Sequence, residues 1–374
     1  MKGIRIGLIG AGWMGKAHTT AFHSAKMIFG DDVPVFEMIS DVNEEQVKNM
    51  AESLGYNRYT TDWTDIVKDP DIDLVDVATP NSMHFEMVKA ALENGKHVFC
   101  EKPLSLSGEQ SQILADLAAE KNVVNYCGFS NLMNPANQYV KDLVQSGRLG
   151  KIMRIHATYD QDMLLDPEQP ITWRHVNKFA GSGALGDLAS HLLSVSQMIL
   201  GDIEEVNAVN SIVIPERPLP GKNEMATVEN DDLITFLVKY KNGAIGDISA
   251  SRVATGRKNY FYYEIQGTEG TVVYDLERMC KVQVYFKADA DKDNGRDCGF
   301  RTVLLNPEHK GFKYFQPAGG IAIAFDDMKT LQAHELMQAM NGGSYEGSFA
   351  MGAKVDGVIS AVLKSVKSRQ WESC

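Results

Sequence analysis

The chain has 374 residues, 44% apolar and 23% charged, an ordinary balance for a globular protein with room for two domains of about 150 residues each. Asp and Glu (49) outnumber Lys and Arg (37), and the net charge of −12 argues against nucleic acid or an anionic membrane as partner. No run of about 18 apolar residues is present to span a bilayer. The five cysteines are scattered and form no C-x-x-C, which fits a reduced, cytoplasmic protein.

Strands and helices alternate over the first 127 residues. Residues 4–9 are a near-continuous apolar run, as expected of a strand covered on both faces. The run feeds a glycine loop and no small-residue cleavage site, so it is a strand and not a secretory leader. Helices follow at 14–28, 44–54, 83–93 and 108–120, and strands at 33–40, 73–78, 96–100 and 123–127. Repeated βα units predict a doubly wound parallel sheet with right-handed crossovers. From Lys151 the pattern changes to longer alternating segments at 152–159, 203–213, 233–240, 244–251, 260–266 and 282–286. These predict an antiparallel or mixed sheet with one face packed on helices, and Gly267-Thr268-Glu269-Gly270 reads as a hairpin turn. Stretches 215–230 and 288–299 read as long loops. The fold class is therefore α/β: a Rossmann domain over 1–128 and an α+β domain over 129–374.

The first strand opens into Gly10-Ala11-Gly12-Trp13-Met14-Gly15 and a helix. A G-x-G-x-x-G in that context is a dinucleotide-binding fingerprint. Gly10 allows a tight turn, Gly12 lets the backbone approach a pyrophosphate, and Gly15 lets the helix pack close to the strand. Trp13 and Met14 begin the helix whose free N–H groups would face the phosphates. Asp41, at the end of the second strand, can accept hydrogen bonds from the adenosine ribose. Residues 42–47 contain no Arg or Lys for a 2′-phosphate, which favours NAD over NADP. A glycine turn without ligand and a helix-capping aspartate are the alternatives.

Three segments could carry chemistry. Glu101-Lys102-Pro103 follows a strand end, where ligands of open α/β sheets bind. Lys102 could donate to a substrate hydroxyl there, or be an ordinary exposed lysine. In Gly181-Ser182-Gly183-Ala184-Leu185-Gly186-Asp187-Leu188-Ala189-Ser190-His191, Asp187 and His191 lie four apart and share a helix face. His191 can take a proton near neutral pH, and the glycines suggest close approach to a ligand; a surface pair or a capping aspartate is the plainer reading. In Thr79-Pro80-Asn81-Ser82-Met83-His84, residues Thr79, Asn81 and His84 could line a cofactor cleft, or Asn81 could cap a helix. H-E-x-x-H and G-x-S-x-G are absent, so neither a catalytic metal nor a serine nucleophile is expected.

Together these pieces resemble the glucose–fructose oxidoreductase/inositol dehydrogenase (Gfo/Idh/MocA) family. The matching segments are 10–15, Ala78-Thr79-Pro80-Asn81, Glu101-Lys102-Pro103, Gly183-Ala184-Leu185-Gly186-Asp187 with His191, and the turn at 267–271. Within the family the sequence is similar to the branch of sugar 3-dehydrogenases typified by levoglucosan oxidation. That likeness extends over Tyr159-Asp160-Gln161-Asp162, Ile171-Thr172-Trp173-Arg174, residues 214–218, 256–260 and 299–303.

The resemblance implies an N-terminal Rossmann domain and a C-terminal domain with a large open sheet that mediates homo-oligomer contacts. It implies hydride transfer between nicotinamide and a CH–OH of a pyranose, glycoside or cyclitol, C3 being favoured. Lys102, Asp187 and His191 match the catalytic set. Gly10, Gly12, Trp13, Met14, Gly15, Asp41, Thr79, Asn81, His84, Glu101 and Lys102 match the cofactor site. Gln161, Asp162, Trp173 and Arg174 fall where sugar is held, with Trp173 placed to stack on a sugar face. A redox-neutral enzyme that retains its NAD(H), an inositol dehydrogenase and a non-catalytic sensor stand as alternatives. One departure concerns Phe129-Ser130-Asn131-Leu132-Met133-Asn134-Pro135, where Leu132 replaces the arginine of many relatives. An apolar wall there favours a bulkier or less polar aglycone.

Overall fold

The computed structural model describes residues 3–30, 32–290 and 295–374. It divides into two compact units, Met1–Met133 with Ala324–Asp356, and Asn134–Ile323 with Gly357–Cys374.

In the first unit, β1 (Ile4–Ile9) leads into α1 (Trp13–Phe29), then β2 (Pro34–Ser40), α2 (Glu44–Leu54), β3 (Arg58–Thr60), α3 (Thr64–Lys68) and β4 (Leu74–Val77). Next come α4 (His84–Glu93), β5 (His97–Cys100), α5 (Gly108–Lys121) and β6 (Asn125–Cys127). Among the described residues the strands form a six-stranded sheet in the order β3-β2-β1-β4-β5-β6, with every neighbouring pair parallel. The order reverses beside β1, so the loop after β1 sits at the switch point where doubly wound sheets bind ligands. Local signals set the helix ends: Asn43 accepts from Gln46 N at the start of α2, Ser107 from Gln110 N at the start of α5, and Gly30 closes α1 in the left-handed region.

The second unit begins with α6 (Pro135–Gln145) and β7 (Ile152–Asp160), followed by α7 (Asn177–Ala180), a π-helical turn over Leu185–Ala189 and α8 (Ser190–Leu200). Strands β8 (Ile203–Ser211), β9 (Glu216–Pro218), β10 (Met225–Thr227), β11 (Leu233–Tyr240), β12 (Ile245–Ser251), β13 (Tyr260–Gly267), β14 (Gly270–Asp275) and β15 (Lys281–Phe286) come next. The chain continues through α9 (Lys287–Ala290), β16 (Arg301–Leu304), α10 (Phe325–Met340), α11 (Phe349–Ser368) and β17 (Glu372–Ser373). Among the described residues this unit holds a nine-stranded mixed sheet, β16-β15-β14-β13-β7-β12-β11-β8-β17, in which β7 and β12 run parallel. Alternation decides its faces: along β11, Ile234, Phe236 and Val238 are buried while Leu233 and Leu237 are exposed.

The boundary differs from the sequence reading in one respect. Residues 324–356, expected in the second domain, belong to the first unit. The reason is packing: Ala333, Leu336 and Met337 of α10 share one core with Phe22, Phe36, Leu74 and Phe99. Each such large side chain contributes about 1.5–3 kcal/mol on burial. Stretch 215–230 is also more than a loop, since β9 and β10 pair as a short antiparallel ribbon. Of the other expected loop, residues 291–294 lie outside the described residues.

Candidate functional site

In the first unit the glycine loop has the geometry its sequence requires. Gly10 has φ +108°, and a Cβ there would stand 2.6 Å from the Ala78 carbonyl oxygen. At Gly15 a Cβ would stand 2.3 Å from Gly10 O, so only glycine lets α1 start this close to the loop. Gly12 caps α1 with no side-chain partner, and a Cβ on it would meet nothing within 4 Å. The first N–H groups of α1 are thus left for an anion by an open backbone. Trp13 is 68% exposed and stacks on Phe325, centroids 5.7 Å apart, while Met14 lies half-buried in the first turn. Asp41 Oδ2 accepts from Ala11 N (2.9 Å) and Oδ1 from Asn43 N (3.2 Å). The acid therefore shapes the glycine loop from beneath and stays partly exposed. These features fit an adenine dinucleotide: an uncapped helix N-terminus for the pyrophosphate and a carboxylate for the ribose.

The strand-end loops after β4 and β5 are tied together by His84. Its ring nitrogens lie 2.8 Å from Pro103 O and 2.9 Å from Thr79 O. The ring is fully buried, and burial lowers its pKa. His84 was expected against the cofactor. With both nitrogens directed at carbonyls, it instead clasps the Thr79 loop to the Lys102–Pro103 loop. Thr79 Oγ1 contacts Met87 Sδ at 3.7 Å, and Asn81 opens a single 3-10 turn. Lys102 is half-buried, and its bond to Pro103 is cis.

Glu101 also differs from expectation, because both its oxygens have partners inside the unit. Oε1 lies 2.8 Å from His18 Nε2 and 2.6 Å from Lys329 Nζ, and Oε2 accepts from Lys102 N at 3.2 Å. His18 Nδ1 faces Asp76 at 2.9 and 3.1 Å, and the imidazole stacks on Phe99. Burial opposes charging of His18, but Asp76 and Glu101 outweigh it and the pKa is raised. Burial likewise opposes ionisation of Glu101, yet Lys329 and His18 hold its carboxyl well below the usual range. None of His18, Asp76 or Lys329 was singled out from sequence as a working residue.

In the second unit a different carboxylate builds the turn that carries Asp187. Asp231 Oδ1 accepts from Gly183 N (2.7 Å) and Oδ2 from Leu185 N (2.9 Å). The neighbouring Asp232 forms a buried ion pair with Arg252 (3.0 Å), whose guanidinium also reaches Asn230 O. Asn230 Nδ2 donates to Arg174 O (2.9 Å), which ties the segment carrying Arg174 to the same loop. Asp231 and Asp232 follow directly on the stretch 215–230 read as a loop, and no local pattern marks them.

The helix expected around Asp187 and His191 begins as the π turn and becomes regular only at Ser190. Such wide turns recur at functional positions. Arg174 Nε lies 3.6 Å from Asp187 Oδ2, and its guanidinium covers one face of Trp173 at 4.5 Å. One face of the indole is thus occupied by protein. The His191 ring lies 6.1 Å from that of Tyr159, whose hydroxyl donates to Asn259 Oδ1 (2.7 Å). Gln161 Nε2 donates to the same oxygen (2.8 Å). Asp162 is held by Lys258 (2.6 Å), which keeps its carboxyl below the usual range. His191, Tyr159, Gln161, Asn259, Arg174 and Asp187 thus make one polar cluster, of which Tyr159 and Asn259 were not predicted as site residues. Leu132 is fully buried, so it presents no apolar wall to an aglycone.

Comparison with known proteins agrees with this architecture. Residues 4–129 match the family model described as "Oxidoreductase family, NAD-binding Rossmann fold", and residues 137–273 match the GFO/IDH/MocA C-terminal domain. The chain is 38% identical to levoglucosan dehydrogenase of Pseudarthrobacter phenanthrenivorans, covering 99% of this chain and 98% of that one. It is 30% identical to myo-inositol 2-dehydrogenase of Thermotoga maritima, covering 75% and 77%. The solved structure of levoglucosan dehydrogenase in complex with NADH superposes with a TM-score of 0.95, covering 100% and 99%. The chain belongs to the Gfo/Idh/MocA oxidoreductase family.

Proposed function

We propose that the protein is an NAD-dependent dehydrogenase of sugars or glycosides, oxidising a ring CH–OH, with C3 of a pyranose the favoured carbon. The observation that carries this reading is the polar cluster around His191. Tyr159 stands beside His191, Gln161 and Asn259 are hydrogen-bonded around Tyr159, and Arg174 pairs with Asp187 one helical turn before the histidine, a set of polar groups suited to reading several hydroxyls. Support also comes from a solved structure of levoglucosan dehydrogenase that holds NADH and levoglucosan, to which this chain is 38% identical over its full length.

Each residue has a separate task. Gly10, Gly12 and Gly15 shape the loop, the α1 N-terminus takes the pyrophosphate and Asp41 takes the ribose. When bound, NAD supplies the hydride acceptor. His191 accepts the proton from the substrate hydroxyl at a ring nitrogen. The Lys102 ammonium stabilises the negative charge that grows on that oxygen. Asp187, paired with Arg174, orients substrate, and Gln161 and Arg174 read the remaining hydroxyls.

The test is a panel of levoglucosan, glucose, aryl glycosides and myo-inositol with free NAD and with NADP, following NADH and locating the ketone by NMR. We expect NADH to form with a pyranose and NAD. Co-purified cofactor without net NADH would replace this reading by a redox-neutral one. Lys102→Ala and His191→Asn should each lower kcat by at least about 100-fold while cofactor still binds. Turnover surviving both changes would remove the catalytic assignment.

We further propose a cytoplasmic homo-oligomer assembled through the second unit's sheet. Val209 (68% exposed), Leu237 (49%) and Ile245 (56%) on β8, β11 and β12 support that interface. Light scattering of wild type against Leu237→Lys tests it, a smaller particle being expected for the variant.

A further inference from the structure

We propose that Lys329 is a positioning residue for Lys102: it neutralises Glu101, so that the Lys102 ammonium directs its charge to substrate instead of to its own neighbour. The inference rests on the catalytic role proposed above for Lys102.

The argument starts from a charge inventory. Asp76 and Glu101 bring two negative charges into the core beneath the Lys102 loop, and His18 and Lys329 bring two positive ones. His18 has no exposed side-chain surface, and the other three expose at most 10%. His18 bridges the two carboxylates, and Lys329 adds the second cation at Glu101. His18 Nδ1 meets both oxygens of Asp76 (2.9 and 3.1 Å), so the imidazolium charge is committed there. Lys329 Nζ meets Glu101 Oε1 at 2.6 Å. Its 3.2 Å approach to His18 Nε2 sets two donors side by side on one acceptor oxygen. A carboxylate that draws in two cations has little attraction left for a third.

Without Lys329 the balance changes. Glu101 Oε2 already accepts from Lys102 N, so the carboxylate sits directly below the residue whose ammonium is needed elsewhere. An uncompensated charge in a low-dielectric setting pulls strongly on an opposite charge one residue away. Gly128 packs closely against Glu101, since a Cβ there would stand 2.7 Å from its Cδ. Both oxygens of the carboxylate are engaged by His18, Lys329 and Lys102 N, so it is balanced in place, and Lys329 is a cation that does so. It comes from α10, far along the chain, and its side chain is 3% exposed. Solvent and salt thus have little access with which to screen the pair in its stead.

The experiment needs no substrate. The full-length protein is labelled with ε-13C lysine, Lys102 is assigned through Lys102→Arg, and its ammonium is titrated by NMR. In Lys329→Met the Lys102 midpoint should move up by about one pH unit, as an unneutralised neighbouring carboxylate demands. Adding Glu101→Gln should return it to the wild-type value. In parallel, levoglucosan oxidation with NAD should lose about tenfold or more in kcat in Lys329→Met, with NAD affinity within about threefold of wild type and partial recovery in the double variant. Lys329→Arg, which keeps the charge, should stay closer to wild type than Lys329→Met.

A folded Lys329→Met whose Lys102 titrates as in wild type overturns the proposal. If Lys329→Met does not fold, the double variant decides. Folding, with Lys102 titrating normally, supports a charge role. Failure of the double variant to fold overturns it, because Lys329 would then be needed whatever the charge of Glu101. Lys102→Ala separates the two readings: turnover retained there removes Lys102 from catalysis and leaves the titration result standing.

Discussion

The two units each hold a glycine-rich turn against a carboxylate, and they do so for opposite ends. Asp41 holds the loop after β1 by the Ala11 N–H and its own following turn by the Asn43 N–H, and the glycine at the helix cap has open space where a Cβ would be. In the turn before α8, Asp231 grips two backbone N–H groups, and a Cβ on Gly183 would lie 1.8 Å from the Asp231 carbonyl oxygen. Gly186 is crowded too, though less, with the Ser182 side-chain Oγ 2.4 Å from the Cβ position. In the first turn Gly10 and Gly15 admit protein while Gly12 leaves space for a ligand; in the second, Gly183 and Gly186 both admit protein. Composition alone does not distinguish the two, and the sequence reading assigned both to ligand approach.

Substitutions can break the comparison, and the largest effect is expected under the second turn. Arg252→Met removes the partner of Asp232 in a pair whose side chains are 1% and 0% exposed. Leaving that carboxylate alone should cost about 3–5 kcal/mol, read by denaturant unfolding. A loss below about 1 kcal/mol would mean that water replaces the guanidinium and that the loop is less closed than described.

Gly183→Ala should cost about 1–3 kcal/mol through overpacking against Asp231 and lower turnover with it. Gly12→Ala should change stability by less than about 1 kcal/mol, since the methyl meets nothing, yet weaken NAD binding by about tenfold or more. Calorimetric unfolding with NAD titration of both variants checks the pair. Equal behaviour of the two glycines would end the distinction between a ligand turn and a protein turn.

A further effect concerns acid. His175 Nδ1 accepts from Thr172 N at 3.0 Å. Burial, reinforced by Arg252 and Arg217, pushes its pKa from 6.5 down to about 4. The unfolded chain therefore takes up a proton that the folded chain refuses. Stability should fall as pH drops from about 6.5 toward 4 and no longer from this cause below that window. Unfolding midpoints across that range should decline less steeply in His175→Asn; an unchanged slope would place the acid sensitivity elsewhere.

What could be read from sequence was what neighbouring residues decide. The Rossmann strands and the glycine loop declare themselves because an apolar run, a G-x-G-x-x-G and a helix lie side by side. The short β3 (Arg58–Thr60) was missed because an edge strand of exposed and half-exposed residues has no apolar signal. His18 lies within the first helix, where no neighbouring residue marks it out. Nothing nearby could show that Glu101 and Lys329, 311 positions from His18, would meet on it. Asp231 and Asp232 drew no reading from the sequence because their partners, Gly183, Leu185 and Arg252, lie on other segments. Periodicity also missed the π turn, since a one-residue widening leaves the apolar pattern almost intact.

The return of residues 324–356 to the first unit has a consequence for the order of events during synthesis. A nascent chain that has emerged as far as Met133 carries all six strands of the parallel sheet, with Asp76 and Glu101 already among them. The ammonium that balances Glu101 is still almost two hundred codons away. Until it arrives, the early sheet carries a net negative charge at its ligand-binding edge. Completion of the nucleotide-binding half is thus one of the last steps of folding, although its sequence comes first.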